Sequence, residues 1–212
     1  IVWTKHADGT WSYDYTVFDR WVELMTELGI DHAVNCYSML PWNNELHYRD
    51  GVTGRFVDVT ADPGTPAFEE LWVPFLTDFT RHLREKGWLG RTNIAMDERS
   101  PEEMADALDL LRKTAPELGI AMADNKNSYL NYPSINSMCV KVRDRIPPQH
   151  IAERRARGFV TTYYVCCSDR FPNMFTFSAP AEAVYAGWYT AACGYDGFLR
   201  WAYNSWVGEP LT

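Results

Sequence analysis

Two spacings of apolar residues alternate along the chain. At helical spacing, Val17, Phe18, Trp21, Val22, Met25 and Leu28 line one face of a segment from Asp14 to Leu28, which Gly29 stops. A second stripe, Phe68, Leu71, Trp72, Phe75, Phe79 and Leu83, runs from Thr65-Pro66 to Gly87, and Pro74 inside it predicts a kink. A third, with Met104, Ala107, Leu108 and Leu111, covers residues 100–115, and shorter helices are expected at 147–157 and 178–192. Between these helices lie short apolar, β-branched or aromatic runs at 32–40, 92–96, 119–124, 135–142, 159–167 and 197–206, which read as strands. Two alternating stretches, 1–13 turning at Asp8-Gly9 and 45–59 around Asp50-Gly51 and Gly54, read as hairpins.

Strands alternating with helices predict an α/β fold with a parallel sheet. Six such strands fit either an open doubly wound sheet or most of an eight-stranded barrel. No Gly-rich phosphate loop follows any strand, which disfavours a dinucleotide-binding open sheet. The helix-first order fits a (β/α)8 TIM-barrel-like domain that lacks its first two strands, so that residues 1–212 form one partial domain with strands three to eight.

Composition narrows the function. The 212 residues are 46% hydrophobic, enough to bury a core, and carry a net charge of -8 with a pI near 5.1. That balance excludes a nucleic-acid or anionic-membrane surface; the densest basic run, Arg154, Arg155 and Arg157, reads as the solvated end of a helix. No apolar run approaches the ~20 residues of a membrane span. The cysteines, Cys36, Cys139, Cys166, Cys167 and Cys193, have no CxxC spacing and are expected to be reduced and buried. The five histidines are scattered without ligand spacing, so neither a metal nor another cofactor is expected. Aromatic residues make up 15% of the chain, with nine Trp and twelve Tyr. Such rings pack in cores, and they also pack on the C–H faces of sugars, which points an acidic, Trp-rich chain toward carbohydrate.

Chemistry is expected where the run 92–96 ends on Asp97-Glu98. Ser100-Pro-Glu-Glu103 then opens a helix, with Ser100 as cap, Pro101 in the first turn and Glu103 closing a capping box. Neighbouring residues on a regular strand face opposite ways, so both acids reach one pocket only where the strand breaks into its loop. Paired acids there suit glycoside hydrolysis. They equally suit ordinary complementation of a helix dipole.

Longer blocks favour the first reading. Asp8-Gly-Thr-Trp11 with Tyr13-Asp-Tyr15 and Phe18-Asp-Arg20, Pro41-Trp42, Asp97-Glu98, Tyr163-Tyr-Val-Cys-Cys167, Pro172-Asn-Met-Phe-Thr-Phe177, Gly187-Trp188 and the block from Gly194 to Trp206 together resemble glycoside hydrolase family 123. The resemblance spans nearly the whole chain. It implies a β/α barrel that releases terminal β-linked N-acetylgalactosamine from a glycan by substrate-assisted, retaining catalysis. It further implies Glu98 as general acid/base and Asp97 as the group that holds and polarises the 2-acetamido group. An upstream β-rich domain, an excerpt of a longer protein, and a bacterial secreted or periplasmic setting also follow from the resemblance.

Further site residues are expected from position. Trp201 shares a face with Leu199 and Tyr203 and would form a sugar floor, Tyr164 would contact the acetamide, Asn204 sits where the last strand opens, and Trp42 lines the entrance. Two alternatives remain open: a retaining glycosidase with Asp169 as protein nucleophile, and a non-catalytic carbohydrate-binding relative.

Overall fold

A computed structural model of the chain describes residues 1–125 and 128–200. They fall into two compact units, one of residues 1–121 and one of the described residues from Met122 on. The expected element order is present throughout, as a mixed α/β chain with five helices among the described residues.

In the first unit, β1 (Val2–Lys5) and β2 (Trp11–Asp14) form the antiparallel hairpin expected around Asp8-Gly9. Helix α1 (Thr16–Glu27) follows, then β3 (Val34–Tyr37). Strands β4 (Glu45–Asp50) and β5 (Phe56–Thr60) form the second hairpin, and β1 runs parallel to β4, giving a four-stranded sheet in the order β2-β1-β4-β5. Helix α2 (Pro66–Lys86), β6 (Thr92–Met96) and α3 (Pro101–Thr114) complete the unit, with β6 parallel to β3 in the register Val34↔Thr92 to Tyr37↔Ala95. All five residues of β6 are buried, as a strand covered on both faces requires.

The core of this unit is aromatic. The α2 stripe places Trp72, Phe75 and Phe79 against the first hairpin. Trp3 stacks on Phe75 at 4.4 Å between ring centroids, and Tyr13 and Trp72 meet Trp3 edge-on. Phe79 extends the cluster to Phe75, Tyr15 and Phe18 at 5.2, 5.9 and 5.4 Å. Helix α2 runs as one element through Pro74 and ends on Gly87, whose φ of 74° is the left-handed conformation of a helix C-cap. Helix α1 behaves differently from its pattern. Of its apolar face only Val22 is fully buried, while Val17, Trp21 and Leu28 are exposed; the aromatic cluster meets this helix at Phe18.

Strand β7 (Gly119–Asp124) carries the chain into the second unit, and the loop from it to β8 (Ser137–Lys141) holds a short 3-10 turn at Ser128–Leu130. There α4 (Pro148–Ala156), β9 (Val160–Val165), α5 (Pro180–Cys193) and β10 (Gly197–Arg200) follow, and β8, β9 and β10 pair in parallel. Tyr163 is fully buried and donates its hydroxyl to the Ala186 carbonyl at 2.7 Å, while Tyr189 donates to the Val142 carbonyl at 3.1 Å. Parallel pairing and the β/α order are compatible with part of a TIM-like barrel.

Two expectations need correction. Arg154 is not solvated: it is buried, and its guanidinium donates to Thr161 Oγ1 and to the Ile135 and Val160 carbonyls. Those carbonyls flank β8 and β9, and a buried carbonyl needs a donor. Of the cysteines only Cys139 is fully buried, and all five are free. Strand β9 stops at Val165, so Cys166 and Cys167 fall in the following turn, where Cys167 is exposed.

The start of α3 is a complete capping box: Ser100 Oγ accepts from the Glu103 N–H and Glu103 Oε2 accepts from the Ser100 N–H, both at 3.2 Å. Burial pushes the Glu103 carboxyl up, but the Ser100 donors, the Asn44 amide and the Arg99 charge outweigh it and hold the group below its usual 4.5. A lowered carboxyl pKa stabilises the fold above the unfolded value, and the contribution is lost as pH falls through the folded value. Glu103→Gln is therefore expected to lose more stability at pH 7 than at pH 3, with the gap to wild type closing below about 4.5 in chemical unfolding curves. Phe79→Ala, which empties the centre of the aromatic cluster, is expected to cost about 3–5 kcal/mol in urea unfolding followed by Trp fluorescence.

Candidate active site

Strand β6 ends at Met96, and the next four residues form the whole connection to α3. Asp97 and Glu98 are both half-buried at this carboxyl end, where the strand bends into the loop. Asp97 Oδ1 accepts the N–H of Glu98 at 2.9 Å. Among the described residues Oδ2 of Asp97 has no hydrogen-bond partner. The aspartate is thus held by its own loop through one oxygen. The loop break expected from sequence allows the two acids to leave the strict alternation of the strand.

Arg99 comes next and is 92% out of solvent, at 8% exposure. Its Nε and Nη2 both donate to the carbonyl of Leu40, at 2.9 and 2.6 Å. Leu40 lies in the loop after β3, so this guanidinium joins the exits of two neighbouring parallel strands. Its other face lies 4.5 Å from the ring centroid of Trp42, a cation–π contact. Trp42 itself is 63% exposed. One side chain therefore links the expected entrance ring to the loop that carries both acids.

The loop after β3 is shaped by its sequence. Pro41 is extended at φ -65°, and Asn43 and Asn44 then take positive φ of 63° and 53° in a 3-10 turn. Asparagine tolerates this region better than most residues, because its short amide bonds locally. Asn44 Nδ2 donates to Asp62 Oδ1 at 2.9 Å and to Glu103 Oε1 at 3.3 Å, a second tie between this loop and the start of α3. Sequence reading missed Arg99 and Asn44. The Asn-Asn pair after Pro41-Trp42 was the available signal for the turn; for Arg99, a charge between two acids and a helix cap, the sequence carried no sign that it would be buried.

The other expected residues fall in the second unit or outside the described residues. Tyr164 lies on β9 in the second unit, opposite Lys141 of β8 and Leu199 of β10, and is buried. Trp201 and Asn204 lie outside the described residues. Asp169 is buried, with no exposed side-chain surface. Its Oδ2 accepts the Cys166 N–H at 2.8 Å, and its Oδ1 stands 3.3 Å from Arg143 Nε without hydrogen-bond alignment. Asn173 bonds the carbonyls of Cys166 and Asp169, closing this turn on itself. One oxygen of this carboxylate is bonded to its own turn and the other lies beside Arg143.

One grouping among the described residues brings three metal-ligand atoms within 4.8 Å of one another: Glu45, His47 and Asp58 on the outward face of the β4–β5 hairpin. His47 and Asp58 are cross-strand partners, 2.6 Å apart through Nδ1 and Oδ1, and all three are exposed. Among the described residues no helix is long and apolar enough to cross a membrane.

Comparison with known proteins gives this geometry its context. The family description "Glycoside hydrolase 123, catalytic domain" matches residues 1–212. A solved structure of a family 123 glycoside hydrolase from Clostridium perfringens, studied for glycolipid glycan hydrolysis, superposes with a TM-score of 0.88 at 32% sequence identity. The match covers 99% of this chain and 39% of that one, so the chain spans well under half of that protein's length. No curated protein matches the chain. A match over every residue, together with the acids at the end of β6, leaves one assignment: the chain belongs to glycoside hydrolase family 123 and carries its catalytic-domain sequence.

Proposed function

We propose that the protein releases terminal β-linked N-acetylgalactosamine from glycans with net retention, using the substrate's own 2-acetamido group as nucleophile. The observation that carries this reading is the pairing of Asp97 and Glu98 at the end of β6, both half-buried, with Asp97 anchored through one oxygen. Membership of a glycosidase family supports the reaction class. The six parallel-type strands β3 and β6 to β10 are then strands three to eight of a (β/α)8 barrel, whose reactive groups collect at the carboxyl ends of its strands.

The chemistry divides between the two acids. The acetamide oxygen attacks the anomeric carbon as Glu98 gives its proton to the departing glycosidic oxygen, and the C–O bond breaks. The cyclised intermediate carries positive charge on its nitrogen, and the Asp97 carboxylate accepts the amide N–H and stabilises that charge. Glu98, now ionised, takes a proton from water, and the resulting hydroxide equivalent opens the intermediate at the same face from which the leaving group departed. Two inversions at one carbon give retention. Trp42, exposed beside the loop, lines the entrance. Tyr164, Trp201 and Asn204 complete the binding set in this reading.

The reading with Asp169 as nucleophile draws no support from a carboxylate that has no exposed surface and is bonded to its own turn. A non-catalytic carbohydrate binder would show heat of binding with N-acetylgalactosamine and no turnover, which calorimetry and an activity assay separate.

Nitrophenyl β-N-acetylgalactosaminide is expected to be cleaved by the full-length protein, and the plain β-galactoside, which lacks the internal nucleophile, is not; equal cleavage of both would overturn the mechanism. Glu98→Gln is expected to slow substrates with poor leaving groups far more than the activated aryl glycoside, which needs little protonation. Asp97→Asn is expected to slow both alike, by about 10²–10³ in kcat, the scale of losing one donor at a charged transition state. Rescue of Asp97→Asn, rather than Glu98→Gln, by the activated leaving group would reverse the two roles.

A further inference from the structure

We infer that Arg99 is a positioning residue of this active site: by clamping the Leu40 carbonyl and stacking on Trp42, it fixes the entrance ring relative to the Asp97–Glu98 turn. The inference rests on the proposed role of that turn, and it adds a residue to which the two-acid mechanism gives no part.

The geometry is specific to a guanidinium. Two of its N–H donors, Nε and Nη2, converge on one oxygen, at 2.9 and 2.6 Å. The planar group keeps a face for the Trp42 ring at 4.5 Å while its edge is bonded. A lysine ammonium has the charge and lacks both the fork and the plane. Arg99 makes no ion pair among the described residues; its buried charge is met by a carbonyl dipole and an aromatic face, and Glu103 lies near enough to feel it. A buried charge without a partner carboxylate costs free energy, so the fold holds it there through a contact that a neutral apolar residue would not supply.

Its place in the chain matters as much. The Glu98 backbone is held from both sides, by the Asp97 carboxylate on its N–H and by the anchored side chain of the next residue. Ser100 is then locked by the helix cap. Removing Arg99 frees one flank of Glu98 and leaves Trp42 without the face on which it rests. The expected consequence is a looser binding wall together with a misplaced proton donor.

The test is a double-mutant cycle in the full-length protein with Arg99→Met, Arg99→Lys, Trp42→Ala and the Arg99→Met/Trp42→Ala pair, assayed on nitrophenyl β-N-acetylgalactosaminide, with hydrogen exchange of peptides from 38–44 and from α2 measured alongside. Arg99→Met and Trp42→Ala are each expected to raise KM about tenfold, with the pair no worse than either alone, because Arg99 acts on binding through Trp42. Arg99→Lys is expected to resemble Arg99→Met, and exchange is expected to accelerate in 38–44 while α2 stays protected. Multiplicative KM losses, a wild-type-like Arg99→Lys, or unchanged exchange in 38–44 would each overturn the inference. Should the wild-type protein cleave no N-acetylgalactosaminide, the mechanism fails, and the exchange comparison still decides whether Arg99 holds the Trp42 loop.

Discussion

A parallel strand buried on both faces has nowhere along its length to present a charged group to a substrate. Strand β6 obeys this constraint fully, since Thr92 to Met96 are all buried and the first half-exposed side chain is Asp97. Its two polar residues are absorbed internally: Thr92 bonds the Trp88 carbonyl and Asn93 bonds Asn35 on β3. Acids within reach of solvent can therefore appear only at the strand's end. There the chain must also begin a helix, whose first N–H groups need acceptors. Acids, anchor and cap thus share a stretch of four residues, each serving a different need.

The first unit meets the cost of holding such a stretch with contacts that are local in space and distant in sequence. The loop after β3 reaches the loop after β6 through Leu40 and Trp42 on Arg99 and through Asn44 on Glu103. Beneath these ties the aromatic cluster of Trp3, Phe75 and Phe79 fixes α2 against the first hairpin. Burial of large rings supplies stability without directional demands, whereas the loops are set by hydrogen bonds with narrow geometry. The division is physical. Cores tolerate rearrangement of volume, and a site does not.

Sequence pattern made much of this legible because the elements follow periodicity. The bounds of β6 and β7 are those expected from the apolar runs 92–96 and 119–124, and α2 and α3 begin where Thr65-Pro66 and Ser100-Pro101 signal a start. The Asp97-Glu98 pair stood out for the same reason, as a break in an apolar run. What escaped were residues whose roles depend on partners far along the chain. Arg154 reads as surface in a basic run, yet it is buried because carbonyls at 135 and 160 converge on it. Arg99 reads as one more charge in a polar loop, and only the neighbouring strand's exit gives it a partner. Tertiary context decides burial for a long amphipathic side chain, and no local period encodes it.

The four-residue link between β6 and α3 has one further consequence. With the strand end fixed on one side and the helix cap on the other, it holds no slack, so an insertion of one residue would turn both acids away and break the cap together. The connection from β3 to α2 is much longer, with the β4–β5 hairpin built into it; it meets β6 and the link after it through Met39 on the Ala95 carbonyl and Leu40 and Trp42 on Arg99, and the start of α3 through Asn44 on Glu103. Length and composition are more adjustable in the hairpin than at those points. The architecture separates a short segment that tolerates little variation from a long one that absorbs it, so the hairpin side can change while the Asp97–Glu98 turn keeps its geometry.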